Sequence, residues 1–140
     1  MTTFKKACGL AFFPIVFSSN LFASAPISIP KVDNGITIDA SLDETQWRNA
    51  TKIDVNTIVR PYENTDSPVK TEAYVMEDGE TFYIAFIASD PNPENIRAFI
   101  KDRDKVWGDD LVGVKIDTYN DHRLAYSFWV NPHGVQNDSI

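Results

Sequence analysis

Val69-Lys70-Thr71-Glu72-Ala73-Tyr74-Val75-Met76-Glu77-Asp78-Gly79-Glu80-Thr81-Phe82-Tyr83-Ile84-Ala85-Phe86-Ile87-Ala88-Ser89 is the stretch on which the fold turns. Two runs of strand-forming residues flank Asp78-Gly79, the pair that best tolerates the positive backbone angles of a type I′ turn. The spacing therefore predicts an antiparallel hairpin of residues 69–77 and 80–89. Its second run, Thr81 to Ala88, is apolar on both faces. Such a strand belongs in the middle of a sheet, covered on both sides.

Toward the C-terminus, Asp90-Pro91-Asn92-Pro93 ends the hairpin, and residues 94–101 are expected to form a short helix or an extended edge. Leu111 to Asp117 and Leu124 to Asn131 read as a second strand pair around the polar turn 118–123. Toward the N-terminus, residues 60–68 (RPYENTDSP) have loop composition and Lys52 to Val59 that of a moderate strand. Before them, residues 42–50 are expected to form one helical turn with Ser41 as N-cap and Glu44 as capping-box partner, placing Leu42 and Trp47 on the core side. Ile36-Thr37-Ile38-Asp39 alternates like a first strand. No run of eleven or more residues has helical periodicity, so at least six short strands predict an all-β, antiparallel β-sandwich.

Residues 1–25 are set apart as a signal peptide. Two lysines precede the apolar run Ala7 to Phe17, too short for ~30 Å of hydrocarbon, and Ala23-Ser24-Ala25 fits a cleavage site. The chain is thus expected to be exported, to the periplasm, the cell envelope or the medium. Residues 26–140 form one domain with no membrane span of its own, and about 115 residues suit one small core. The chain stops at Ile140 directly after a strand-like segment, so this domain is expected to be incomplete at its C-terminus. Without the leader, 11 basic side chains face 20 acidic ones, a formal charge of −9. That balance disfavours nucleic acid and anionic membrane surfaces as partners. The sole cysteine, Cys8, lies in the leader, which removes thiol catalysis and disulfides from the mature domain.

The ordered series Ile36-Thr37-Ile38-Asp39-Ala40-Ser41-Leu42-Asp43-Glu44 with Trp47 and Ala50 resembles the family 9 carbohydrate-binding modules. The likeness continues through Val75, Asp78, residues 83–86 and Asp90 to Arg103-Asp104, Trp107, Asp109-Asp110 and Ile116-Asp117. Asp121-His122-Arg123, Tyr126, Phe128, Val130-Asn131-Pro132 and Gly134-Val135-Gln136 are similar to a branch found at the N-terminus of larger bacterial envelope proteins, where a barrel-like C-terminal part follows. The resemblance covers residues 33–138 and implies a carbohydrate ligand and a barrel-like C-terminal domain as partner. It also raises the expectation of structural calcium. Sugar-binding members carry a glutamate six positions after the tryptophan matching Trp107; here that position is Gly113.

A sugar site needs a flat aromatic ring against the pyranose C–H face and planar hydrogen-bonding side chains at its edge. Trp107, in a polar stretch, reads either as that platform or as a plug closing the sandwich; Trp129 either packs or lines a concave surface. Asp110, Arg123, Asn131 and Gln136 complete the candidate carbohydrate contacts. Asp104, Asp109 and Asp117 are the candidate calcium ligands, because clustered carboxylates supply the oxygens that cation takes, although charged loops are commonly just solvated. Asp109 or Asp110 is alternatively expected to pair with Arg103 or Arg123. No catalytic residues are expected. The adjacent Asp109 and Asp110 make a poor acid/base pair, and His122 and His133 sit in turns without nucleophile or metal spacing. The expectation is a non-catalytic carbohydrate-binding module tied to carbohydrate catabolism. Its alternative is a structural or interaction domain of an envelope protein without sugar affinity.

Overall fold

The structure, a computed structural model, describes residues 26–33, 35–61 and 64–140. Residues 1–25, expected to be a signal peptide, lie outside the described residues. The architecture is all-β, as the pattern of short strands predicts. Strands β1 (Thr51–Ile58), β2 (Thr65–Glu77) and β3 (Phe82–Ser89) form one antiparallel sheet in that order; β4 (Val112–Ile116), β5 (Tyr126–Val130) and β6 (Gln136–Ser139) form a second. The strand set differs from the expected one at both ends. Residues 36–39 alternate but pair with no strand among the described residues, leaving Ile38 81 % exposed, whereas the polar segment Gln136–Ser139 is recruited by β5.

The central hairpin forms, with two corrections. Its connection is Asp78 to Thr81, longer than a two-residue turn: Asp78 N–H donates to the Thr81 carbonyl, and Glu77 is paired with Phe82. Gly79 alone takes a positive φ, 98°, while the Asp78 carboxylate accepts from Glu80 N, Thr81 N and the Tyr83 hydroxyl. In addition, β2 rather than β3 is the middle strand, and β3 lies at the edge of its sheet. An apolar composition on both faces reports cover above and below a strand, and says nothing of its neighbours in the sheet plane.

That cover is present in part. On the outer face of β2 and β3, Met76 and Tyr83 pack with Val32 and Trp47, flanked by Ile36, Leu42, Ala50, Tyr74 and Ala85. Burying side chains of this size contributes about 1.5–3 kcal/mol each, which makes this cluster the main core. Trp47 reaches it from a 3₁₀ turn, Thr45–Asn49, and Leu42 joins it as expected. The capping box does not form: Glu44 is the N-cap, without a side-chain cap, and its carboxylate instead accepts from the Trp47 indole N–H at 3.1 Å and from Thr37 N at 3.2 Å. A 3₁₀ turn starting at Thr45 puts Ser41 too far upstream to reach its amides.

On the inner face, Val75↔Ile84, Ala73↔Phe86 and Thr71↔Ala88 are cross-strand pairs. Of these, Thr71, Ile84, Phe86 and Ala88, together with Val112, Val114, Phe128 and Val130 of the second sheet, line two cavities of about 430 and 380 Å³. Phe128 remains 48 % exposed there. The chain crosses between the sheets through residues 90–111, in which a single 3₁₀ turn, Pro93–Asn95, is the one regular element.

Candidate functional site

Register places the aromatic residues of the second sheet. Gly113 faces Trp129, which in turn faces Asn137, so these three share the sheet's outer face with Lys115 and Ser127. A β-carbon at Gly113 would collide with the Trp129 ring and the Phe128 carbonyl oxygen, so the indole lies down over the bare glycine backbone. Lys115 Nζ stands 6.0 Å from the centroid of the Trp129 ring. Val106, fully buried, anchors the preceding loop, whose turn closes through Asp109 N donating to the Val106 carbonyl at 2.8 Å. The next residue, Trp107, is thereby carried to Trp129: the rings meet edge to face, centroids 6.3 Å apart at 62°. Trp107 itself is 63 % exposed. An indole braced by a second ring and still largely exposed can stack on an apolar ligand surface at little entropic cost.

The polar candidates do not gather around this pair. Asn131 is buried and fully engaged: Nδ2 donates to the Phe99 carbonyl and to Asp109, both at 2.9 Å, and Oδ1 accepts from His133 N and Val135 N. Asp110 accepts from Arg97 N at 2.8 Å. Asp110 and Asn131 both line the larger cavity between the sheets. Gln136 pairs with Val130, on the face opposite Trp129, and accepts from Arg103 Nη1 at 2.8 Å. Arg123 belongs to the turn after β4, the far end of the β4–β5 ladder from the Gly113–Trp129 pair, where its backbone N–H donates to Asp121. Of the sequence-derived set, the structure brings together Trp107 with Trp129 and, apart from them, Asn131 with Asp109 and Asp110.

The carboxylates separate into three structural roles. Asp109 has no exposed side-chain area and binds Lys101 Nζ at 2.5 Å, Asn131 Nδ2 and Phe99 N. The Lys101 ammonium holds its carboxyl below the usual range although burial acts against this. Asp117 organises the turn after β4, accepting from His122 N at 2.9 Å and Tyr119 N at 3.1 Å, and these amides lower its pKa, His122 most. Asp104 accepts from Asp138 N at 3.2 Å, and its own N–H donates to the Gln136 carbonyl at 3.0 Å, clipping the loop to β6. Among the described residues no three His, Cys, Asp or Glu side chains converge to hold a metal. The expected pairing of Asp109 or Asp110 with Arg103 or Arg123 is corrected as well. Lys101, two positions from Phe99, reaches Asp109 first, and Arg103 is drawn to Asp138 and Asp104 on the β6 side.

Sequence reasoning missed Lys115 and Asn137. Asn137 is buried opposite Trp129, and its Nδ2 has no partner among the described residues. The alternation of β4 alone would have put Gly113 and Lys115 on one face, a signal that becomes informative only once Trp129 is known to share it. No described helix is long and apolar enough to cross a membrane. No protein-family model, curated protein or solved structure matches this chain.

Proposed function

We propose that this chain is a non-catalytic carbohydrate-binding module of an exported protein, with Trp107 as the stacking platform. The observation that carries the reading is the largely exposed Trp107 indole, set at 62° to Trp129, whose own ring lies over Gly113. Glycine at 113, where sugar-binding modules of the resembling family carry glutamate, has a positive reason in this reading: it is the floor that lets Trp129 lie flat and brace the platform. Lys115, exposed on the same face, supplies a hydrogen-bonding group. The test is a titration of intrinsic tryptophan emission with neutral and acidic mono- and oligosaccharides, with and without calcium. A saturable, sugar-specific change that vanishes in Trp107→Ala, with unfolding unchanged, is the expected result. Binding that survives Trp107→Ala would overturn the platform assignment, and a folded protein silent to every sugar would overturn the function.

A second reading is favoured by a different observation. Two largely apolar cavities lined by both sheets, one of them bordered by the exposed Phe128, suit an interaction domain of a larger envelope protein. In that case sugars leave the emission unchanged.

A further inference from the structure

A sheet edge presents a row of unpaired N–H and C=O groups, and proteins guard such edges with charges, bulges, short strands or a covering segment. Three of the four edges here are guarded. β1 carries Lys52 and Asp54 and breaks register between Val55 and Thr57. β4 is five residues long and carries Lys115. β6 is covered by Arg103 and Asp104, through Asp104 N to the Gln136 carbonyl and through the contacts of Arg103 with Gln136 and Asp138. β3 has none of these devices. Its eight residues, FYIAFIAS, include no charge, proline or glycine, and its register with β2 is unbroken. Among the described residues β2 is its only ladder partner, and Phe82, Ile87, Ala88 and Ser89 are exposed.

We infer that β3 is a homodimer interface, at which two copies of this chain join their first sheets by antiparallel β3–β3 pairing. The strand is self-complementary in volume about Phe86. With Phe86 on the two-fold axis, Ile84 lies opposite Ala88 of the second copy and Ala85 opposite Ile87, so each large side chain meets a small one on its own face of the sheet. Tyr83 lies opposite Ser89 in the same register. Charge selects the register too. Sliding the centre to Ala85 would set Glu80 against Asp90, whereas about Phe86 Glu80 meets Asn92 and Asp90 meets Phe82, so between residues 80 and 92 no carboxylates oppose each other although the chain is net acidic. The same pairing lays a second strand along the rim of both cavities, which Phe86 helps to line. Such isologous contacts close on themselves and yield a dimer rather than a fibre.

The test is sedimentation of the full chain across micromolar concentrations, beside Ile87→Lys, which plants a charge on the edge. Dimerisation of the parent, lost in Ile87→Lys with tryptophan emission unchanged, is expected. With Cys8→Ser removing the sole native thiol, Phe86→Cys should oxidise to a covalent dimer, while Val55→Cys on the guarded β1 edge should not. A parent that stays monomeric, an Ile87→Lys variant that still dimerises, or equal cross-linking at positions 55 and 86 would each overturn the inference. Should Phe86→Cys fail to fold, the sedimentation comparison alone decides.

Discussion

Gly113 and Trp129 form one unit, in which the absence of a side chain on β4 is what positions an aromatic ring on β5. Gly113→Ala leaves the backbone dihedrals accessible but drives a methyl group into the indole and the Phe128 carbonyl oxygen. Overpacking of this kind costs about 1–3 kcal/mol. The expected outcome is a lower denaturation midpoint together with an altered tryptophan emission, because Trp129 must lift and Trp107 loses its brace; a midpoint and spectrum equal to the parent would refute the arrangement. Residue reading from sequence found Trp107 and Trp129, whose chemistry is unusual enough to stand out. It gave no sign that Asn131, Asp110 and Gln136 bond to other parts of the chain, since a planar polar side chain looks the same whichever partner it serves. Only the positions of Phe99, Arg97 and Arg103 reveal those bonds.

At the scale of elements, the 3₁₀ turn Thr45–Asn49 and the hairpin it covers are coupled through Trp47. The indole ring fills the outer-face cluster beside Met76 and Tyr83, and its N–H is held by Glu44. Trp47→Ala should cost about 3–5 kcal/mol in urea or guanidinium unfolding, the usual loss for a large buried aromatic. Ser41→Ala should shift the same curve by no more than about 0.5 kcal/mol, because the Ser41 side chain caps no helix and substitutions away from such features are nearly silent. A large effect at Ser41 would restore the capping box. The turn was legible as to its core residues, because apolar spacing fixes which side faces inward. Its start was not, since 3₁₀ and α turns begin at different residues of the same capping pattern. β3 shows the corresponding limit for strands: its two apolar faces were readable and its edge position was not.

For the molecule as a whole, acid is the informative perturbation. Asp78, Asp109 and Asp117 are all held below the ordinary aspartate range, by the Glu80 amide, the Lys101 ammonium and the His122 amide respectively as leading causes. Glu72, between Lys52 and Lys70 at 2.7 Å from each, is lowered to about 2. Each folded pKa lies below its unfolded value, so the unfolded chain takes up protons first as pH falls. The stabilisation is fully present above the ordinary carboxylate range, near pH 5 and higher, and is lost progressively from about pH 4.5 toward 2. Melting temperatures should therefore be flat from pH 6 to 8 and drop steeply below about 4.5, with Asp109→Asn flattening part of the acid limb. A melting temperature that rises on acidification would contradict the assigned contacts.

By itself the sequence determined the class of the fold, the central hairpin, the outer-face core around Trp47 and the two tryptophans worth testing. Alternation, turn chemistry and side-chain size act over a few residues and are written along the chain. Tertiary structure decided which strand became an edge, that residues 36–39 would pair with no strand among the described residues while Gln136–Ser139 joined the second sheet, and that the acidic residues would be spent on three separate loops. Those outcomes depend on which distant backbone amide or ammonium group arrives first, and a competition between segments tens of residues apart leaves no local mark on the residues that compete.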